Sequence, residues 1–192
     1  MTLIDTFINR FQLTLPEPVN QPIDAKKSAA VLLPIINKPN PTILLTERAS
    51  TLRSHAGQVA LPGGKRDPQD KNLIETALRE AHEEVDIPPS MVSVIGQLAP
   101  LRSSEGYLVT PIVGVIPPNL SLRHNPTEVA SVFEMPLSYV LNTQRYLPLD
   151  FRRAGKMHRI YFYPYEGHLV WGLTAAILHN LALHITYFII LL

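Results

Sequence analysis

The chain has 192 residues, with 17 lysines and arginines against 16 aspartates and glutamates, so its formal net charge is only +1. This balance gives no electrostatic reason to expect nucleic-acid binding. The absence of cysteine excludes disulfides, thiolate metal sites and cysteine nucleophiles, and it is compatible with the cytoplasmic location that we expect.

A short amphipathic helix is predicted at the N-terminus, ending before Pro16. Apolar residues recur at helical spacing in TLIDTFINRFQL, while Asp5 and Arg10 interrupt the apolar run that a secretion signal needs. The chain contains no internal repeat, low-complexity tract or Gly/Ser linker. We therefore expect a single domain over residues 1–192, without a leader segment.

Apolar runs bounded by turn residues predict the strands. They lie at residues 29–36, 42–48, 92–98, 110–116 and 159–163. The first two runs are separated by a loop with two prolines, as in a strand pair. With helices predicted at residues 73–85 and 174–183, this pattern predicts an α/β fold arranged as an α/β/α layered domain.

The most distinctive run is REAHEE, inside the predicted helix 73–85. At about 100° per residue, Glu80, Glu83 and Glu84 share one side of the helix. The apolar residues are predicted to face the core on the other side: Ile74, Leu78, Ala81 and Val85. Like charges at this spacing destabilise a helix by about 0.2 to 0.5 kcal/mol per pair, which a bound cation would reverse. The alternative is an ordinary solvated acidic face.

A glycine loop precedes this helix and a stop signal follows it. In LPGGK, Gly63 and Gly64 allow the backbone to approach a ligand or a helix closely. Asp86 tolerates the left-handed conformation just past a helix end, and Pro88 and Pro89 cannot continue the helix. The predicted unit is a strand, a glycine loop, an acidic helix and a stop.

At these residues the chain resembles the Nudix hydrolases. Their signature runs Gly, five residues, Glu, seven residues, then Arg-Glu-aliphatic-x-Glu-Glu-x-Gly-aliphatic. Counting from Gly64 puts Asp70 at the first glutamate, with one inserted residue before Arg79, and Asp86 replaces the closing glycine. The second half of the signature is matched by Arg79, Glu80, Ala81, Glu83, Glu84 and Ile87.

The sequence just upstream, LLTERASTLRSHAGQVALPGG, is similar to the additional motif of the bacterial coenzyme A diphosphatase branch. The matching residues are Leu44, Leu45, Thr46, Arg48, Ala49, Arg53, Gly57, Pro62, Gly63 and Gly64. The resemblance implies a Nudix-type α/β/α layered sandwich with a mixed sheet. It also implies a metal-dependent hydrolase that cleaves the diphosphate of coenzyme A or its thioesters, giving 3′-phosphoadenosine 5′-phosphate and 4′-phosphopantetheine.

The resemblance also assigns roles to the acidic residues. Glu80 and Glu84 are the leading ligands for Mg²⁺ or Mn²⁺, ions that prefer oxygen donors and bridge carboxylates to phosphates. Glu83 is expected to share a second ion and is the first choice for the general base. Glu128, in HNPTEV, is the other choice for a base or a further ligand.

Basic residues complete the predicted site. Arg79 is expected to orient the carboxylates through a bidentate contact with Glu83 or Asp70. The phosphates of the substrate are expected to contact four upstream cations and the glycine loop: Arg48, Arg53, His55, Lys65, Gly63 and Gly64.

Alternatives remain at this point. A Nudix hydrolase of a nucleotide sugar or a dinucleotide would use the same metal residues. A noncatalytic nucleotide-binding protein of the same fold would tolerate the insertion before Arg79. The other histidines show no zinc-protease pairing, and no GxSxG or Walker loop is present, so serine hydrolases and P-loop NTPases are excluded.

The C-terminal run HLVWGLTAAILHNLALHITYFIILL is long and apolar enough to be a candidate membrane-spanning helix. His179, Asn180 and His184 interrupt its centre, so we predict a buried helix from about Thr174 that packs on a sheet. No membrane contact is expected. The sequence does not decide whether the chain forms a homodimer.

Overall fold

The computed structural model describes residues 2–14, 27–153 and 155–190, with only the backbone described for 153 and 187–190. Pro16, which bounds the predicted N-terminal helix, and the last two residues of the C-terminal apolar run lie outside the described residues. The described elements are α1 (Leu3–Leu13), β1 (Ser28–Ile36), β2 (Thr42–Arg48), β3 (Val59–Ala60), β4 (Gly63–Lys65), α2 (Leu73–Val85), β5 (Ser93–Gln97), β6 (Leu101–Arg102), β7 (Leu108–Ile116), β8 (Val129–Pro136), α3 (Leu137–Val140), β9 (Leu147–Arg153), β10 (Lys156–Tyr165), β11 (His168–Trp171) and α4 (Gly172–Ile190).

The N-terminal helix α1 forms as predicted, and its first turn is held by a capping box. The Thr2 hydroxyl accepts the Asp5 N–H at 3.2 Å, and the Asp5 carboxylate accepts the Thr2 N–H at 2.9 Å. The apolar side of α1 buries Ile4, Phe7 and Phe11.

The main sheet has eight strands and is mixed. β1 lies at its centre, parallel to β7 along its whole length, with Ser28 opposite Leu108 and Ile36 opposite Ile116. The other edge of β1 pairs antiparallel with β2 and with the short strand β4. The predicted pair β1–β2 is therefore confirmed, but Gly63 and Gly64 lie in a strand rather than in a free loop.

Helices cover both faces of this sheet, which confirms the α/β/α layers. One buried cluster lies between the sheet and α2 and includes Leu32, Leu44, Ala81 and Ile112. In the cluster on the opposite face, Leu33 of β1 packs with residues of α1, α4 and a second sheet, among them Phe7, Tyr163 and Ile177.

The second sheet has three strands in the order β11-β10-β9, all antiparallel. The predicted strand 159–163 is the middle of β10, whereas β8, β9 and β11 were not predicted. Helix α4 begins at Gly172, and Leu178, Leu181 and Ala182 are fully buried, so the predicted core helix is confirmed. None of the helices described is long and apolar enough to cross a membrane.

Candidate metal and substrate site

Helix α2 carries the acidic run and is fixed at both ends. The Asn72 side chain accepts the Glu75 N–H at 2.9 Å and caps the first turn. Asp86 adopts the predicted left-handed conformation with φ 58°, and its N–H reaches the carbonyls of Ala81 and His82. The observed bounds Leu73–Val85 are those that the sequence predicts.

At two positions of α2 the exposure of the side chain differs from what the helical projection predicts. Ile74, predicted to face the core, has 38% of its surface exposed. Glu84, predicted on the acidic side, is 3% exposed. Glu84 lies at the border between the two sides, where β2 and β4 cover it. The cover comes from segments distant in sequence, so a projection of the helix alone could not reveal it.

Glu84 is a buried carboxylate with few partners. Its Oε2 accepts the Gly63 N–H at 3.1 Å, and Arg48 Nη1 lies 3.7 Å from its Oε1. Burial raises the pKa of Glu84 to about 7, and nearby Glu80 and Glu128 add to the rise, while the Gly63 N–H and Arg48 oppose it. Without further positive charge, Glu84 is therefore poorly stabilised as an anion.

Glu80 lies beside Gly64. A Cβ at Gly64 would overlap the Glu80 carboxylate, so glycine here lets the strand lie against the acidic helix without displacing that side chain. Burial raises the pKa of Glu80, although the contact with Arg79 Nη1 at 3.0 Å opposes that rise. The predicted close approach is confirmed for both glycines: Gly64 lies against the helix, and Gly63 lies against the backbone of β1.

Arg79 makes the predicted bidentate contact, and Asp70 is the partner. Nε and Nη2 of Arg79 donate to the two Asp70 oxygens at 3.0 and 3.1 Å. Asp70 also accepts the Asp67 N–H and the Thr76 hydroxyl, both at 2.9 Å. These bonds, with that of Arg79 the largest cause, lower the pKa of Asp70 to about 2 despite its burial. The inserted residue before Arg79 therefore does not prevent the contact between Asp70 and Arg79.

The other two acidic residues lie at the rim of this group. Glu83 is more exposed, and its Oε2 accepts a hydrogen bond from Arg79 Nη1 at 3.1 Å. Glu128 lies in the turn before β8, and its charge contributes to the raised pKa values of both Glu80 and Glu84. The Glu128 carbonyl accepts the Ala49 N–H at 2.9 Å, which ties this turn to the upstream motif.

The upstream cations separate into two groups. Arg48, at the end of β2, lies beside Glu84, and its buried Nε has no hydrogen-bond partner among the described residues. His55 instead contacts Gln58 at 2.9 Å and Glu105 at 3.1 Å. Lys65 lies 4.8 Å from the centre of the Tyr107 ring, whose hydroxyl raises the pKa of Lys65. Arg53 is exposed in the loop that follows β2.

These residues fit a divalent metal that is bound by few protein ligands. In the described part of the chain, no three histidine, aspartate or glutamate side chains form a ready-made metal cage. Mg²⁺ is commonly held by one or two carboxylates together with substrate phosphates, which needs no such cage. Buried Glu84 and partly buried Glu80, both with raised pKa values and next to an arginine with an unpaired Nε, suit that mode of binding.

The contacts of Asp70 with Thr76 and of His55 with Glu105 were not foreseen. Thr76 is one helical turn from Glu80 and is fully buried, but its sequence context resembles that of any helix residue. Glu105 lies 50 residues from His55 in a turn between β6 and β7, and no sequence pattern links them. Asp70 was detectable, because the spacing from Gly64 brings it to the first acidic position of the signature.

A buried and a partly buried carboxylate that face a glycine strand, beside an arginine with an unpaired Nε, are typical of a metal-assisted hydrolase of phosphate compounds. The NUDIX domain family matches residues 26–146, and the chain belongs to the Nudix hydrolases. It is therefore a diphosphate-cleaving hydrolase rather than a noncatalytic binding protein. Members of this family generally use divalent metals and act on small nucleotide-derived substrates.

Similar proteins agree with this assignment along nearly the whole chain. A protein of Photorhabdus laumondii subsp. laumondii is 62% identical over 182 residues, which are 95% of this chain and 97% of that protein. One of Yersinia pestis strain Pestoides F is 55% identical over 185 residues, 93% of each chain. Both bear the name "Uncharacterized Nudix hydrolase NudL".

Solved structures share the fold. RenU, a Nudix hydrolase from M. smegmatis, has a TM-score of 0.50 at 25% identity over 60% of this chain and 73% of its own. A NUDIX hydrolase from Alicyclobacillus acidocaldarius has a TM-score of 0.50 at 18% identity over 85% of this chain and 93% of its own.

Proposed function

We propose that this Nudix hydrolase cleaves the diphosphate bond of coenzyme A or its thioesters. Water would attack one phosphorus of the diphosphate, and the anhydride P–O bond would break. The products would be 3′-phosphoadenosine 5′-phosphate and 4′-phosphopantetheine, the latter carrying the acyl group when the substrate is a thioester. The whole chain would act as a single domain in the cytoplasm, with a small nucleotide substrate and no nucleic-acid partner.

The position of Arg48 is the observation that carries this proposal. Arg48 belongs to the upstream motif that resembles the coenzyme A branch, and its guanidinium lies 3.7 Å from Glu84 of the Nudix helix. Its buried Nε has no hydrogen-bond partner in the described part of the chain. An arginine held in this way can donate to a substrate phosphate at the metal-binding carboxylates.

Each acidic residue would have a distinct task. Glu80 and Glu84 would hold Mg²⁺ or Mn²⁺, which when bound polarises a phosphoryl oxygen and lowers the pKa of water. Arg79, fixed by Asp70, would keep Glu80 and Glu83 in orientation. Glu83 would accept the proton of the attacking water.

Glu128 is the other choice for the base. Its turn is tied to Ala49, and its charge acts on both Glu80 and Glu84, so it lies near the same metal-binding group. Glu83→Gln and Glu128→Gln, compared at saturating metal, separate the two choices, because loss of the base removes the acidic limb of the kcat profile. We expect that change in Glu83→Gln.

A substrate panel tests the proposal. Coenzyme A, an acyl-coenzyme A, a nucleotide sugar and a dinucleotide are compared by kcat/KM with Mg²⁺ and with Mn²⁺, and the products are identified by mass. We expect coenzyme A or its thioester to be preferred and to give the two products named above. A tenfold or greater preference for a nucleotide sugar or dinucleotide would assign the protein to another Nudix substrate class.

The exposed Arg53 offers a sharper test of specificity. If Arg53 binds a phosphate of coenzyme A, Arg53→Ala should lower kcat/KM. The loss of transition-state stabilisation should be about 1.5 to 3 kcal/mol, the scale of a charge-assisted hydrogen bond. Dephospho-coenzyme A, which lacks the 3′-phosphate, tells which phosphate is bound, because only a 3′-phosphate contact leaves this substrate unaffected. Arg152→Ala, at an exposed position in the second sheet, is the matched control. Equal rates for Arg53→Ala and wild type on every substrate would remove Arg53 from the site.

A further inference from the structure

A short turn between β6 and β7 meets three basic side chains from other parts of the fold. The turn has the sequence SSEGY at residues 103–107, and we call it the hairpin tip. The basic side chains come from the residue before β1, from the loop after β2 and from β4: Lys27, His55 and Lys65. The hairpin tip itself carries one carboxylate, that of Glu105. Two lysines and a histidine outnumber this carboxylate, which leaves positive charge for an anionic ligand.

Direct contacts tie two of these side chains to the hairpin tip. His55 Nε2 lies 3.1 Å from Glu105 Oε1, and His55 Nδ1 lies 2.9 Å from Gln58 Oε1. Both ring nitrogens therefore face oxygen acceptors, an arrangement that suits the charged imidazolium. The Lys65 ammonium lies 4.8 Å from the centre of the Tyr107 ring, and a hydrogen bond with the Tyr107 hydroxyl raises the pKa of Lys65.

The backbone is braced on both sides of the contact between His55 and Glu105. The Ser103 N–H donates to the Tyr107 carbonyl at 2.8 Å, and the Ser103 hydroxyl accepts the Tyr107 N–H at 3.0 Å. Gly106 has a φ of 86°, and its N–H donates to the Ser103 carbonyl at 3.0 Å. His55 has a φ of 57°, a left-handed conformation that is uncommon for residues other than glycine. Specific backbone conformations thus bring the imidazole and the carboxylate together.

Lys65 and the hairpin tip lie on the face of the main sheet opposite α2. Lys65 pairs with Ala29 of β1, and Ala29 pairs with Val109 of β7, so the three share one face. Ala29 and Val109 belong to the buried cluster on the side away from α2, and Tyr107 packs against the same cluster. Gly64, the neighbour of Lys65, faces the acidic helix. One step along β4 therefore leads from the metal-binding carboxylates to a group of cations on the other face.

We propose that the hairpin tip positions His55 and Lys65 to bind a phosphate of the substrate outside the diphosphate that is cleaved. Glu105 positions His55, and Tyr107 positions Lys65. In coenzyme A this group is the 3′-phosphate, which is attached to the same ribose as the diphosphate. A substrate that lies across the end of the sheet brings its diphosphate to the carboxylates of α2 and its 3′-phosphate to the opposite face. The inference rests on the proposed coenzyme A substrate and names the residues that recognise its third phosphate.

The contact between His55 and Glu105 contributes little to folding. Their side chains are 44% and 46% exposed, and exposed ion pairs have only a small effect on stability. Variants of these two residues should therefore keep the fold and report on substrate binding.

Kinetics with coenzyme A and dephospho-coenzyme A test the proposal, because the two substrates differ by the 3′-phosphate alone. Lys65→Gln should raise the KM for coenzyme A about tenfold and leave the KM for dephospho-coenzyme A within about twofold of wild type. Glu105→Gln should raise the KM for coenzyme A about threefold without changing kcat, the scale of an exposed ion pair. Glu166→Gln is the matched control, because Glu166 is an exposed glutamate in the turn between β10 and β11, and it should behave like wild type.

Double variants separate positioning from a general structural effect. Tyr107→Leu should raise the KM for coenzyme A about threefold in wild type and have no further effect in Lys65→Gln, because Tyr107 acts through Lys65. Tyr107→Phe retains the aromatic ring and should raise this KM less than Tyr107→Leu does. Glu105→Gln should likewise have no further effect in His55→Ala. A folding defect would instead lower the activity toward both substrates alike.

Equal losses on coenzyme A and dephospho-coenzyme A in Lys65→Gln would overturn the phosphate subsite. A lower KM in Glu105→Gln would mean that Glu105 competes with the substrate for His55, and it would overturn the positioning role.

A wild type that does not cleave coenzyme A would contradict the proposed function and leave the subsite to a binding test. Isothermal titration then compares 3′-phosphoadenosine 5′-phosphate with AMP, which lacks the 3′-phosphate. Wild type should bind the first about tenfold more tightly, and Lys65→Gln should lose most of this preference. Equal affinities of wild type for the two nucleotides would overturn the subsite itself.

Discussion

Two buried carboxylates beside helix α2 differ sharply in how they are neutralised. Asp70 accepts hydrogen bonds from Arg79, Thr76 and the Asp67 N–H, and its pKa falls to about 2. Glu84 has one N–H donor and a more distant arginine, and its pKa rises to about 7. Both side chains are almost inaccessible, so burial alone does not decide their charge.

This difference suits the two carboxylates to different roles. The charge of Asp70 is already neutralised within the fold, because its carboxylate accepts two hydrogen bonds from the Arg79 guanidinium. The charge of Glu84 is not neutralised in this way, because a buried anion with few hydrogen-bond donors is unfavourable until a cation binds beside it. We infer that Asp70 holds the helix in place and that Glu84 is kept ready for a metal ion.

The largest effect is expected from Glu84→Gln. A neutral amide cannot replace a carboxylate on the metal, so kcat should fall by a factor of about 10² or more. The free energy of unfolding at pH 7 without metal should rise by about 2 kcal/mol, because Gln accepts the Gly63 N–H without the charge that burial disfavours. Steady-state kinetics at saturating Mn²⁺ and urea unfolding measure the two quantities. Near-wild-type turnover would remove Glu84 from the site.

Asp70→Asn should show the opposite pattern for stability. It removes the charge that pairs with Arg79, and the free energy of unfolding should fall by about 2 kcal/mol, the scale set by the lowered pKa of Asp70. Urea unfolding of the metal-free protein measures this change. An Asp70→Asn variant as stable as Glu84→Gln would end the distinction between the two carboxylates.

The same pair predicts how stability depends on pH. The raised pKa of Glu84 favours its protonated form in the folded state, so this stabilising contribution is complete below about pH 4.5 and is lost as the pH rises through about 7. The lowered pKa of Asp70 stabilises the folded state, and this contribution is complete above about pH 3.8 and is lost as the pH falls through about 2.

Between about pH 5 and 7, metal-free wild type should therefore lose about 2 kcal/mol through Glu84. Glu84→Gln should lack this loss, and Mn²⁺ should suppress it in wild type. Unfolding curves at a series of pH values provide the measurement. Parallel pH profiles for wild type and Glu84→Gln would show that Glu84 is not the titrating group.

A smaller contrast is expected between the two adjacent glycines. A Cβ at Gly63 would meet the backbone of Ala30 and Val31, so Gly63→Ala should mainly lower stability. A Cβ at Gly64 would meet the Glu80 carboxylate, a movable group, so Gly64→Ala should keep most stability and lower kcat/KM about tenfold. Thermal unfolding and kinetics of both variants decide this. Identical losses of stability would contradict the assignment.

Local signals explain which parts of the fold the sequence predicts. The bounds of α2 are predictable because Asp86 and the following prolines end it, and the proline loop 37–41 separates β1 from β2. Strand β8 escapes prediction because it is only partly buried on both sides and carries Glu134 among its apolar residues. Its pairing with β2 depends on contacts more than 80 residues apart.

The candidate site was predictable to a similar extent. Its residue types follow from the signature and the upstream motif, and Arg79 makes its expected contact with Asp70. The sequence did not predict that Glu84 is buried or that Lys65 turns toward Tyr107. Both features depend on how β1, β2 and β4 pair, and no pattern within a single segment encodes that arrangement.

The affinity for Mn²⁺, measured by isothermal titration, tests the central distinction most directly. Wild type, Glu84→Gln and Asp70→Asn are compared at pH 7 without substrate, with folding of each variant verified beforehand. We expect Glu84→Gln to bind Mn²⁺ at least tenfold more weakly and Asp70→Asn to stay within a few-fold of wild type. Wild-type affinity in Glu84→Gln, or a larger loss in Asp70→Asn, would contradict the assignment of Glu84 to the metal.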